Sequence, residues 1–261
     1  MTFATLDRRK PYESRVEKSA FMQARRAELG YARQLRSVAR NVGQFISSLF
    51  PKGEPGSPDA LATLHRVLRG YAEVLRPWAA ASAARMIADV SRRDLNAWRR
   101  HGERMSRALY HEVRDTPVGD VVRARLAEQV KLITSLPIEA AERVHKLALE
   151  GLVEGRRASE IATEIMKSGD VTVSRANLIS RTEVGRTAAE FTRARAAGIG
   201  STGYIWISAH DADVRPLHKQ LNGTFHTWDN PPISGENGER SLPGAIYNCR
   251  CYCQPVVPDY L

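Results

Sequence analysis

The chain has 261 residues, 39 of them Lys or Arg against 29 Asp or Glu, for a net charge of +10, and 43% are hydrophobic. That content supports a packed core and excludes a chain disordered throughout. The N-terminus has no apolar segment of the secretory kind, and no apolar stretch is long enough to span a bilayer. Cys249, Cys251 and Cys253 fall within five positions, which is not a disulfide framework and makes a reducing cytosol the natural compartment.

The charge is uneven. Residues 1–110 hold 21 basic and 10 acidic side chains, whereas residues 200–261 hold 4 and 6. The back is instead aromatic, with Tyr204, Trp206, Phe225, Trp228, Tyr247, Tyr252 and Tyr260. A basic front and a near-neutral back point to two regions with different partners.

In chain order, Tyr12–Leu49 lacks proline and carries an apolar seam at Tyr31, Leu35, Val38, Val42, Phe45 and Leu49. Spacings of four and three predict one long helix. Residues 50–56 break it. Ser57-Pro58-Asp59 reads as a helix start, and Leu61, Leu64, Leu68, Tyr71, Leu75 and Trp78 form a second seam. Two such seams predict an antiparallel helical hairpin, with Pro77 kinking or dividing its second helix. The helical pattern runs out near Asp115. Further helices are expected at 118–134, 137–153, 158–168 and 174–197, with Gly155, Gly169 and the Gly198/Gly200 pair as stops. The last carries small residues at Thr182, Gly185 and Ala189 on one face, suited to close packing.

Beyond Gly198 the pattern changes. Residues 203–208 read as a strand, 224–226 as a short one, and 252–257 as an edge strand limited by Pro255. Residues 229–244, rich in Pro and Gly, form a long loop of a kind that is often functional or flexible. The fold class is therefore α+β: an Arg-rich helical region over 1–136, then a small mixed region over 137–261 with helices to about 197, short strands and long loops.

Three constellations carry candidate chemistry. Asp211, Arg215 and His218 follow a strand, a frequent active-site arrangement. The same residues equally brace a loop through Asp–Arg and His–backbone bonds, and their spacing matches no hydrolase or zinc-protease motif, so bracing is preferred. Cys249, Cys251 and Cys253 alternate, which in an extended chain places three sulfurs on one face; neighbours two apart on one strand do not readily reach disulfide geometry. With His218 or His226 they are candidate zinc ligands, although C-x-C-x-C is not the spacing of a zinc knuckle and buried inert thiols are the preferred reading. Finally, the arginine pairs Arg25/Arg26, Arg92/Arg93 and Arg99/Arg100 could neutralise phosphates nonspecifically; no groove-reading motif accompanies them.

From about Pro137 the ordered pieces resemble the phage Mu protein F-like family of minor head proteins. They are Gly151–Gly155 with Ile161-Ala162, Arg181-Thr182-Glu183 within a helix, Trp206-Ile207-Ser208, Asp211, Arg215 and His218, Asn222-Gly223, Pro243-Gly244, and Cys249-Arg250-Cys251 before Pro255-Val256. Cys253 is additional to that pattern. The resemblance implies a structural, non-enzymatic role in the virion head, assembled in the host cytoplasm. The implied partners are the portal or major capsid protein, with DNA as a nonspecific contact of the N-terminal helices and self-association allowed. No cofactor is required; zinc at His218, Cys249 and Cys251 is the exception to test. The competing expectation is a metal-dependent enzyme, nuclease or toxin-like, built on Asp211, Arg215 and His218.

Overall fold

The computed structural model describes residues 25–50, 58–101, 107–154, 156 and 158–257. All but Phe50 of the predicted breaker over 50–56, the chain before Arg25, the stop at Gly155 and Tyr260 lie outside them. The described elements are helices α1 (Arg25–Leu49), α2 (Pro58–His101), α3 (Arg107–Asp115), α4 (Gly119–Val153) and α5 (Ala158–Gly198), then β1 (Gly203–Ile207), α6 (Pro216–Leu221), β2 (Phe225–Thr227) and β3 (Tyr252–Pro255).

The four long helices form an up-down-up-down bundle. At one end, Val42, Ile46 and Phe50 late in the first hairpin arm meet Leu64 and Leu68 early in α2, Val144 and Ala148 late in α4, and Ile165 early in α5. Further along, Tyr31, Leu35 and Val38 face Leu75, Met86 and Ile87, Ile133 and Leu136, and Ile179 and Phe191. The predicted first seam is buried through Val42. Beyond it the buried stripe moves to Ile46 and Phe50, while Phe45 and Leu49 are only half-buried. A straight helix of 3.6 residues per turn drifts away from a strict 3.5 repeat, which accounts for the shift.

Three predicted breaks are absent, each for a physical reason. Pro77 is exposed on the outer face of a continuous α2, where solvent can hydrate the carbonyl its ring leaves unpaired. Pro137 lies inside α4, flanked on one stripe by buried Ile133, Leu136 and Ala140. Burying such side chains is worth about 1.5–3 kcal/mol each, enough together to outweigh the ~3 kcal/mol cost of an interior proline. Gly169 lies inside α5, and a Cβ there would sit 3.4 Å from the Cα of Gly43. It marks the crossing of α1 and α5, not a helix end. The expected boundary at 136/137 falls within α4, so the bundle takes helices from both sides of it.

The three strands form an antiparallel sheet in the order β2-β1-β3, pairing Tyr204 with His226 and Trp206 with Cys253. Tyr204 and Trp206 are fully buried and pack with Trp228, Leu242 and the cysteines against Trp98 of α2, Val113 of α3 and Ala189 and Ala196 of α5. The small-residue face of α5, Gly185, Ala188, Ala189 and Thr192, lies against Cys251–Cys253. Without bulk on that face β3 can approach the helix. Among the described residues no helix is long and apolar enough to cross a membrane.

Candidate functional site

On α5, Arg181, Thr182 and Glu183 point in three directions, as successive helical residues must. Arg181 donates to Glu28 of α1 at 3.1 Å and to the Asn248 side chain at 3.3 Å. Thr182 Oγ1 accepts the Asn248 backbone N–H at 3.2 Å. Glu183, its side chain 4% exposed, enters the bundle, where Gln129 donates to it at 2.6 Å and Arg186 at 3.0 Å. Tyr31 in turn donates to Gln129 at 2.9 Å. Burial, and then the charge of Glu183, push the Tyr31 hydroxyl far above the usual phenol range. Arg186 also donates twice to the Ala245 carbonyl, at 3.2 and 3.1 Å. One turn of α5 therefore holds both the bundle and the segment leading to Cys249.

After β1 the chain is fixed by Asn222 and Gly223. Asn222 accepts the Ser208 N–H at 2.9 Å, and the Gly223 N–H donates to the Trp206 carbonyl at 2.8 Å. Gly223 has φ of +79°, a conformation that disfavours any residue with a Cβ. Gly244, after Pro243, has φ of +83°, and Asn248 has φ of +57°; asparagine tolerates that region better than most side chains.

Asp211, Arg215 and His218 do not share a partner. Asp211 accepts from Arg250 at 3.0 Å, as does Asp213 at 3.0 Å. Arg215 donates to the Tyr247 carbonyl at 3.2 Å and lies over the Tyr247 ring. His218 is buried on α6, edge-on to Trp206, with its Nε2 2.9 Å from the Ser234 carbonyl. A carbonyl only accepts, so Nε2 carries a proton and Nδ1 faces away from it, 3.5 Å from Cys249 Sγ and 3.6 Å from Cys251 Sγ.

Burial works against charge on His218, but the Cys249 hydrogen bond and the Ser234 carbonyl outweigh it and hold the ring's pKa above the usual histidine value. The Cys249 thiol is pulled well down, chiefly by the hydrogen bond from Cys251 and then by His218; Cys251 is pushed up by that same pairing and by burial. All three cysteines are buried in one core, alternating with half-buried Arg250 and Tyr252. Cys249 and Cys251 converge on His218, while Cys253, on β3, stands outside that group. His226 contacts Thr224 at 2.7 Å instead.

Loop 229–244 contains no helix or named strand, yet its own hydrogen bonds order it. Ile233 bridges Arg240, Ser234 and Gly235 donate to the Glu239 carbonyl at 2.9 and 3.0 Å, and Ser234 and Ser241 hydroxyls meet at 2.7 Å. This small hairpin places the Ser234 carbonyl on His218. The sequence carries no signal for Ser234, because any residue type supplies a carbonyl, nor for the part of Asn248, whose backbone N–H makes the contact with Thr182.

On the bundle, Arg25, Arg26, Arg33, Arg40, Arg66, Arg85 and Arg99 are exposed. Both guanidinium groups of Arg92/Arg93 engage Asp89, which offsets one of the two charges.

Residues 142–254 match the family described as Phage Mu protein F like protein. An uncharacterized protein of Haemophilus influenzae is 28% identical over 148 residues, covering 56% of this chain and 32% of that protein. Minor head protein GP7 of Bacillus phage SPP1 is 26% identical over 153 residues, covering 52% of this chain and 49% of that protein. The chain thus spans half or less of the length of these relatives. No solved structure matches it significantly.

Proposed function

We propose, on the match of residues 142–254 to the Phage Mu protein F-like family, that this chain is a structural minor component of a bacteriophage head, seated at the portal end. The observation that carries this reading is the family match, together with the relative named a minor head protein. A head component present in few copies needs a position that is rare on the shell, and the portal vertex is the unique one by symmetry. The geometry is in keeping with scaffolding. Four long helices give a stiff body, and a small aromatic module is clamped to one of them through Arg181, Thr182 and Arg186. Asp211, Arg215 and His218 each serve a different brace, which removes the main support for a hydrolytic triad.

The test is assembly. The full chain is expected to bind purified portal rings and to enter procapsids formed with portal, but not procapsids formed from shell protein alone. Equal incorporation without portal would overturn the portal placement. Absence from both would overturn the head role itself. The exposed arginines of α1 and α2 supply a secondary, nonspecific contact with packaged DNA.

A further inference from the structure

We infer that His218, Cys249 and Cys251 form a binding site for a thiophilic divalent cation of the zinc class, with a fourth position open to a small adjoining cavity. This stands apart from the head role and depends only on the local geometry. An ion with metal–sulfur distances of about 2.3 Å and metal–nitrogen distances of about 2.0–2.1 Å in tetrahedral arrangement places its sulfur–nitrogen edges at about 3.6 Å. Here the two edges are 3.5 and 3.6 Å, and all three ligand atoms lie within 4.8 Å of one another. Two thiols and an imidazole are the donors that zinc favours over harder cations such as magnesium.

The surroundings are those of a ligand set. The Nε2–H of His218 is held by the Ser234 carbonyl, which turns Nδ1 toward the sulfurs, as an outer-shell acceptor does for a metal-bound histidine. Backbone N–H groups reach both sulfurs, that of Cys251 onto Cys249 and that of Ala209 onto Cys251, and such donors stabilise thiolates. All three ligands are buried. The adjoining cavity, about 20 Å³, is lined by Ala209, Asp213, Arg215 and Asn248 together with the ligands. That is room for one water-sized ligand. Three protein ligands with one open position form a recognised zinc arrangement. On binding, the cation displaces two protons, one for each thiol that becomes a thiolate, while His218 keeps its Nε2–H on the Ser234 carbonyl. It ties together α6, the Ser234 hairpin through its carbonyl, and the Cys249–Cys251 segment.

The full chain, purified under reducing conditions without a chelating tag from zinc-supplemented cells, is expected to carry stoichiometric zinc by elemental analysis. Metal-stripped protein titrated with cobalt(II) is expected to show thiolate charge-transfer absorption and the intense visible bands of a tetrahedral site. Cys249→Ser and His218→Ala are expected to lose the metal, whereas Cys253→Ser keeps it. Should the buried substitutions prevent folding, the wild-type cobalt spectrum and the Cys253→Ser stoichiometry still decide. Absence of zinc with no cobalt absorption overturns the proposal. So does equal metal loss in a folded Cys253→Ser protein, or a Cys249–Cys251 disulfide persisting in the reduced preparation.

Discussion

The backbone N–H of Asn248 donates to the hydroxyl of Thr182 across 3.2 Å, joining residues 66 positions apart. It fixes the left-handed turn from which Cys249, Arg250 and Cys251 depart. Thr182 is itself buried on α5, so the contact sets the position of the sulfur-bearing segment against the bundle. Thr182→Val keeps the shape and removes the acceptor, stranding a partly buried donor. It is expected to cost about 1–3 kcal/mol, read as an earlier midpoint in urea unfolding. An unchanged midpoint would show that the turn holds without α5.

Asp94 and Arg195 form a buried ion pair between α2 and α5, their side chains 4% and 5% exposed, with Thr192 donating to the same carboxylate at 2.5 Å. Burial alone pushes the Asp94 carboxyl upward, and Arg195 opposes that. Asp94→Leu leaves a buried guanidinium uncompensated and is expected to cost about 3–5 kcal/mol. Asp94→Leu combined with Arg195→Met removes both charges and is expected to be clearly more stable than Asp94→Leu alone. Denaturant unfolding of both proteins checks the order.

Gly169 distinguishes a crossing from a helix end. At a left-handed terminus alanine would destabilise, but here φ is not positive and the added Cβ meets Gly43 at 3.4 Å. Gly169→Ala is expected to be neutral or stabilising by up to about 1 kcal/mol through helix propensity. Gly169→Leu is expected to force α1 from α5 and cost about 1–3 kcal/mol. Thermal melts of the two variants should move in opposite directions or differ sharply.

Gly223, at φ of +79° with nothing within 4 Å of an added Cβ, isolates backbone strain from crowding. Gly223→Ala is expected to cost about 1–2 kcal/mol. For a chain of this size that lowers the melting temperature by roughly 2–4 °C per kcal/mol.

Contact with DNA through the bundle's arginines predicts a strong salt dependence. Binding to a short duplex, followed by fluorescence anisotropy, should weaken steeply as salt rises, with a slope of about −0.9 per phosphate neutralised. Arg33→Ala and Arg40→Ala should flatten that slope, whereas Arg92→Ala, whose guanidinium shares Asp89 with Arg93, should change it less. Binding indifferent to salt would remove DNA from the partners.

The sequence by itself determined where helix lies, the antiparallel hairpin of the first two helices and a strand expected over 203–208 and found over Gly203–Ile207, because apolar periodicity records which face is buried. Its ordered C-terminal motif, within the residues that match the family model, was readable because Asn222-Gly223, Arg181-Thr182 and the Cys-x-Cys pair are residue types demanded by particular turns and contacts. Only the tertiary structure decided the rest. Whether Pro77, Pro137 and Gly169 end a helix depends on what lies beside them, namely solvent, a shared apolar stripe and another glycine. Likewise, His218 meets Cys249 and Cys251 but not Cys253 because α6 and the Ser234 carbonyl set the place and tilt of its ring. A carbonyl leaves no mark on residue type, and a glycine alone does not tell a helix end from a crossing, so one chain read alone could not place them.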